Sequence, residues 1–360
     1  SIILNIVLIA ALLLGERWMD ATGASVEQAA YGIAWAVTGA GVMQLVWLYV
    51  WVRVEGFRPR LLWPRLTPEV KRLGVIALPA AIGGGAYQIN TLLQLYFLNQ
   101  LESGSVSYMN YADRLNQLPL GIIGIALSTA ILPTLSKFVG SKNKEGADRV
   151  QSDAIELAML LTIPAAVALA VCATPFVTMI FQGGRFDLAD AVVTGNVLAV
   201  LVLGLPAYVL VKVLVPNFYA RADTRTPVYA AFISLAVFVA FNLAFLQRFG
   251  VVGVAYASVI GAWINTGFLY IVLMRRGYYR LPGALVLRIA RQLVAAAAMG
   301  AALWFARDLL TGYFAAGLLA RLFALAVLVG CAALVYFGVA FAVGAIDRQR
   351  IATLTKKKAP

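Results

Sequence analysis

At 360 residues, 62% hydrophobic and 12% charged, with a mean hydropathy of +0.86, the chain cannot be a soluble globule. Such a globule carries ~45–50% apolar and ~25% charged residues. The net charge of +13 lies between apolar runs, which points to cytoplasmic loops of a membrane protein and excludes a nucleic-acid surface.

In chain order, Ser1 opens inside an apolar run with neither Met nor a basic leader, so it reads as a chain whose upstream part is missing and not as a signal peptide. Residues 1–14 read as the remnant of a first span, and residues 29–52 as a second. The connector from Arg53 to Arg72 is strongly basic and holds Pro59, Pro64 and Pro68. A third span is expected over 73–98. It carries Tyr87, Asn90, Thr91 and Gln94 at i, i+3, i+4 and i+7, one polar stripe on an apolar helix. Amides are unfavourable in lipid, so this stripe should face a protein interior, with interhelical hydrogen bonding as the alternative to ligand contact.

The fourth span begins near Ser105, after the turn-like Glu102-Ser-Gly-Ser, and ends near Ser136-Lys137. It places Asp113 and Arg114 within hydrocarbon: Arg114 falls about 15 Å down the axis of a helix that crosses a ~30 Å layer. A cation there costs at least ~2.5–3.5 kcal/mol and should face protein or a wet cavity. Ser107, Asn110, Tyr111, Arg114 and Gln117 share one face, and Pro119 should kink the helix below them. Two readings remain open here, a polar cavity wall or an Arg-Asp pair that merely pins two helices.

Further spans are expected over 155–177, with Pro164 inside, and over 191–215, where Lys212 should snorkel to the inner interface. Two more, 228–246 and 251–274, are joined by the Gln247-Arg-Phe-Gly250 turn, and the last two cover 284–306 and 319–343. With Arg114 and Lys212 set aside, alternate connections divide the remaining Lys and Arg 22 to 5. This split supports ten spans, with the basic loops and the C-terminus in the cytoplasm. Cys172 and Cys331 lie far apart in apolar segments and no His occurs, so neither a disulfide framework nor a metal site follows.

An internal similarity links Gly32-Ile-Ala-Trp-Ala36 to Gly253-Val-Ala-Tyr-Ala257. At the same offset Gln44 falls on Asn265, and Leu48-Tyr49 on Leu269-Tyr270. The matched spans are six apart, which suggests a parallel repeat of six-helix units, an architecture of rocking transporters.

Several motifs together carry a family resemblance. Gly104-Ser-Val-Ser-Tyr-Met-Asn-Tyr-Ala-Asp-Arg-Leu115, Pro119-Leu-Gly-Ile-Ile-Gly-Ile-Ala-Leu127 and Leu132-Pro-Thr-Leu-Ser136 resemble the MurJ (MviN) lipid II flippases. So do Phe181-Gln-Gly-Gly-Arg-Phe186, Lys212-Val-Leu-Val-Pro-Asn-Phe-Tyr-Ala-Arg221 and Thr226-Pro227, and the likeness runs along essentially the whole chain. The resemblance implies an all-α membrane protein of the MOP-exporter fold. Residues 1–53 would close an incomplete N-terminal lobe, 54–72 would be a cytoplasmic linker, and 73–274 a complete six-helix lobe. Residues 283–345 would be two additional helices that groove the lipid tail, and 346–360 a basic tail.

The implied activity is flipping of lipid II across the bacterial cytoplasmic (inner) membrane, with membrane lipids as surroundings, no cofactor and no catalysis. By motif only Arg114 carries over from the family's cavity arginines, and Ser107 matches a cavity-facing Ser. Asp113, Asn110, Tyr111, Gln117, Asn90 and Gln94 complete the candidate substrate-binding set, and no metal ligand is assigned. Some relatives have an acid where this chain has Gln117, and some bind sodium through acids. No Asp or Glu occurs from Leu73 to Leu98 or from Val228 to Met274, so an acid-based sodium site is not expected. Rival readings are another MOP-superfamily exporter of drugs or lipid-linked oligosaccharides, and an intramembrane polyprenyl-phosphate enzyme. The enzyme would need a nucleotide motif or an acid cluster for Mg²⁺, and neither is visible.

Overall fold

Leucine, valine and alanine dominate every long segment, and in a bilayer only a helix satisfies all its own backbone groups. The computed structural model describes residues 2–57, 67, 68, 70, 71, 85, 88–310, 313 and 317–345, and its elements are helical throughout. The only extended pairing among these residues is an isolated bridge between Gly183 and Phe186. Most of the expected third span, including Tyr87, lies outside the described residues.

Two compact units divide the chain, residues 1–76 and 77–360. In the first, α1 (Ile2–Thr22) and α2 (Val26–Val54) pack on each other. Gly23, at φ +66°, ends α1, and Ser25 starts α2 through a capping box with Gln28. Apolar side chains cover these helices on all sides, as with Trp35 at 76% exposure, which is the surface of a helix made for lipid or neighbouring helices.

The second unit holds α3 (residues 88–98), α4 (Ser105–Pro119), α5 (Ala126–Gly140), α6 (Lys144–Val171) and α7 (Ala173–Phe181). It continues with α8 (Leu188–Leu201), α9 (Leu205–Tyr219), α10 (Arg225–Arg275), α11 (Gly283–Leu309) and α12 (Leu318–Ala342). Eight helical stretches among the described residues are long and apolar enough to cross a membrane. One of them, α10, has 51 residues, about 76 Å at ~1.5 Å each and more than twice a bilayer core. Gly250, at φ 54° and ψ −140°, breaks it into the two spans expected from sequence. The halves fold back on each other, because a Cβ on Gly261 would lie 3.2 Å from the carbonyl oxygen of Ser234.

Three spans depart from simple rods. Pro119 has no N–H to donate, and instead of a bare kink the chain widens into a π-helical stretch, Leu120–Ile125, before α5. Helix α6 begins at Lys144, eleven residues before the expected start, with Asn143 capping Gly146 at 2.9 Å. Between α8 and α9 a 3₁₀ turn, Val202–Gly204, interrupts the helix near its middle. Two donors from α10 reach carbonyls beside that break: Trp263 Nε1 to Leu203 at 3.1 Å and Thr266 Oγ1 to Ala207 at 3.0 Å.

Lipid is as apolar as leucine, so polar contacts and close approach, and not hydrophobic exclusion, fix helix against helix. The last two helices show this. Gly300 of α11 approaches Val167 of α6 so closely that a Cβ would lie 2.9 Å from its methyl. Tyr336 of α12 donates to the Leu160 carbonyl at 2.9 Å, and Arg288 pairs with Glu156 at 3.2 Å. Arg307 stacks 3.7 Å over Trp304 and donates to Val171, in the last turn of α6, at 2.9 Å.

At the basic end of this unit, Gln151 donates to the Val213 carbonyl and accepts from Asn217 at 3.0 Å. Arg221 donates to the Asn217 carbonyl at 2.9 Å and lies 4.5 Å over the Tyr278 ring. Burial pulls its guanidinium pKa down, against the favourable pull of Tyr278 and Asp148. Tyr279, bonded to Ser152 at 2.9 Å, has its phenol pushed up to about 12 by burial. Asp223 caps α10 by accepting from the amides of Arg225 and Thr226 and pairs with Arg276 at 2.5 Å. Burial opposes its charge, but the Thr226 and Arg276 bonds outweigh that and hold the carboxyl below its usual range.

Candidate functional site

Met109, Ala112 and Leu115 of α4 are buried in one cluster with Val177 of α7 and Leu198 of α8, together with Phe97 and Leu98 of α3. Ala112 is fully buried and marks the centre of that seam. At about 100° per residue, Arg114 falls roughly 200° around the helix from Ala112, diametrically across from the packing. Ser107, Asn110, Arg114 and Gln117 all lie on this exposed side. The expected stripe is therefore present as a surface turned away from the lobe's own core.

Each member of the stripe has a definite place. Asn110 Nδ2 donates to the Val106 carbonyl one turn back at 2.9 Å. Asp113, half-buried on the flank, accepts a hydrogen bond from Gln117 Nε2. Adjacent residues point about 100° apart, whereas Gln117 is one turn below Asp113 and meets it directly. Among the described residues Arg114 makes no ion pair.

Tyr111 occupies the opposite flank, 38% exposed, and packs on two rings of the α7–α8 hairpin. Its centroid is 4.7 Å from Phe181 and 5.3 Å from Phe186, the latter edge-on at 85°. One turn earlier, Tyr108 donates to Asp190 Oδ1 at 2.7 Å. Asn90 and Gln94 of α3 are half-buried, and among the described residues neither hydrogen-bonds to α4. Lys212 lies half-buried against the π-helical stretch, where a Cβ on Gly124 would sit 2.7 Å from its Cδ.

Sequence reasoning missed Tyr108, Asp190, Phe181 and Phe186 as supports of the stripe. The pairs are separated by 82 residues in the hydrogen bond and by about 70 in the ring contacts, beyond any helical period. The signal that could have found them is the polar, aromatic crossing itself, since Phe181-Gln-Gly-Gly-Arg-Phe-Asp187 follows a span directly.

The arrangement offers one fixed cation, several amide and hydroxyl groups and one ring on a common face of a membrane helix. Such a face suits a large anionic, hydrogen-bonding headgroup. Residues 1–325 match the family model described as lipid II flippase MurJ. A probable lipid II flippase MurJ of Rhizobium meliloti (strain 1021) is 41% identical over 360 residues, 99% of this chain and 66% of the relative. One from Rhizobium tropici is 36% identical over 361 residues, 100% of this chain and 67% of the relative. The chain thus spans about two thirds of the length of these relatives. Among solved structures, a lipid II flippase MurJ in an inward closed conformation superposes with a TM-score of 0.71 at 21% identity. The match covers 97% of this chain and 67% of that one. A MOP superfamily transporter from Pyrococcus furiosus gives 0.50 at 16% identity, covering 74% of this chain and 61% of that one. These two likenesses show the fold.

Proposed function

The chain belongs to the lipid II flippase MurJ family, and we propose that it moves lipid II from the inner to the outer leaflet of the bacterial cytoplasmic membrane. The family is one of transporters and the chain is multi-pass. The observation that carries the reading is Arg114: a guanidinium on a membrane helix, across from the packed seam and without a carboxylate partner among the described residues. A charge so placed costs at least ~2.5–3.5 kcal/mol in hydrocarbon, so it belongs to a wet cavity that a polar cargo can enter.

In this reading the planar guanidinium takes the pyrophosphate of the cargo in a bidentate way. Ser107, Asn110 and Gln117 replace water around the sugars and peptide, while the prenyl tail stays in lipid. Asn90 and Gln94 complete the wall from α3. Residues 73–274 act as one rocking lobe, 1–53 as part of the other, and 283–345 as an added pair of helices. The cargo crosses without covalent change, and the C-terminus is cytoplasmic. The test introduces Arg114→Ala and Arg114→Lys at the chromosomal locus and measures how much lipid II reaches the outer leaflet. Arg114→Ala should abolish flipping at near-normal abundance, and Arg114→Lys should recover only part, since an ammonium loses the planar fork. Normal flipping by Arg114→Ala would refute the assignment.

A further inference from the structure

Apolar contacts are non-directional, and the seam that buries α4 is built around Ala112, a small and fully buried side chain. Met109, Ala112 and Leu115 therefore hold α4 against the lobe without strongly fixing its rotation. Rotation matters at the opposite face. A turn of about 20° moves a group at the ~5–6 Å outer radius by about 2 Å. A binding constellation needs its members held within ~0.5 Å and 10–20°.

Among the described residues, the directional contacts of α4 with other helices come from the α7–α8 hairpin. A hydrogen bond joins Tyr108 to Asp190, and the Tyr111 ring sits against both Phe181 and Phe186. The hairpin is itself well determined. Gly183 and Phe186 exchange both backbone hydrogen bonds, at 3.1 and 3.0 Å, and Gly184 turns at φ +56°. A glycine with positive φ at the first central position is what a tight two-residue turn requires. The turn brings Phe181 and Phe186 to within 6.4 Å of each other, so both rings meet one side of Tyr111. Asp190 is held in turn by the capping box with Asp187 at the start of α8.

We propose that this hairpin is a clamp that sets the rotation of α4, with Phe186, Phe181 and Asp190 as positioning residues for Arg114. The clamp rests on the reading of Arg114 as a headgroup contact. It goes beyond that reading by assigning the direction of the guanidinium to a segment outside the proposed headgroup contacts. Tyr108 and Tyr111 are the two points of purchase, one turn apart on the same helix.

The test uses the protein expressed from its chromosomal gene, with Cys172 and Cys331 replaced by Ser and spin labels on Leu118→Cys in α4, 60% exposed and outside the proposed binding set, and Leu243→Cys in α10. Leu243 is 74% exposed and lies outside the hairpin. In the Tyr108→Phe/Phe186→Ala double variant the label separation should shift by about 2 Å or broaden by as much, given the helix radius above. Flipping should fall at least about tenfold while thermal unfolding stays near wild type. The Phe186→Tyr single variant, which keeps both the ring and Tyr108, should match wild type in both readouts. An unchanged separation in the double variant would overturn the clamp. If the double variant does not accumulate, Tyr108→Phe alone, which removes one oxygen, is measured in the same two ways, and an unchanged separation again overturns the clamp. A shifted separation together with normal flipping by Arg114→Ala would leave the clamp standing and sink the headgroup assignment, so the two failures are distinguishable.

Discussion

Asp113 accepts from Gln117, and among the described residues Arg114, its immediate neighbour, has no counter-charge. One turn of helix aligns the first pair, and one residue of helix separates the second. The acid and the base of the Asp113-Arg114 dipeptide thus have different neighbours. Asp113→Asn should keep protein abundance and most flipping, because the Gln117 contact survives in a neutral form. Loss of flipping in Asp113→Asn equal to that in Arg114→Ala, measured as outer-leaflet lipid II, would show that the two act as one unit.

The 22-to-5 division of basic residues sets the orientation expected for every connection. In a cysteine-free background, a cysteine at Lys142 should resist an impermeant thiol reagent in intact cells. A cysteine at Asp187, on the other side of α6 and α7, should react. The opposite labelling would invert the topology.

Asp223 combines a helix cap with an ion pair to a half-exposed Arg276. Asp223→Ala should cost about 1 kcal/mol, the usual value of a lost cap, and Asp223→Asn less because an amide oxygen can still cap. Screening makes the ion pair the smaller part. The folded-state pKa of Asp223 is depressed, so its contribution is present above the ordinary carboxylate pKa and is lost as pH falls through the folded value. Unfolding midpoints of wild type and Asp223→Ala should differ at neutral pH and converge in acid.

Ala222 ends α9 in the left-handed region, at φ 58°, a place usually given to glycine. A side chain there costs about 1–2 kcal/mol, from which the greater freedom of unfolded glycine subtracts about 0.5–1. Ala222→Gly should therefore raise the unfolding midpoint slightly, by about 0.5–1 kcal/mol of stability. A lower midpoint would mean that the methyl makes contacts worth more than the strain.

Gly195 and Gly124 look alike in sequence and should behave differently. A Cβ on Gly195 would meet the Thr174 Cα at 2.9 Å and its backbone nitrogen at 3.0 Å, atoms that cannot move without parting α7 from α8. Gly195→Ala should cost about 1–3 kcal/mol, as overpacking does. On Gly124 the obstacle is the flexible Lys212 chain, so Gly124→Ala should be nearly neutral in thermal unfolding.

Much of the fold could be read from residue chemistry. Charge counting located the ends of most spans, and Gly250 marked the division of α10. The early start of α6 escaped because Lys142, Lys144 and Arg149 read as a basic loop, while the helix hides Gln151 and Ser152 against Asn217 and Tyr279, 66 and 127 residues away. The stripe on α4 was legible because a helical period was enough to see it. Its supports were not, since Tyr111 meets Phe186 only through the folded hairpin.

The π-helical stretch after Pro119 has a consequence for how the two halves of its span are phased. A π turn spends an extra residue relative to an α turn, so the azimuth of α5 is offset from that of α4 by an amount sequence spacing alone does not give. Deleting a single residue between Leu120 and Ile125 would therefore let the segment relax to α geometry with both halves close to their present bearings. Converting it to α geometry with all six residues kept would instead rotate one half against the other by about 100°. Arg114 and Lys137 would then change their relative bearings although neither had been touched, so the π stretch is what lets this span hold one more residue without turning its faces.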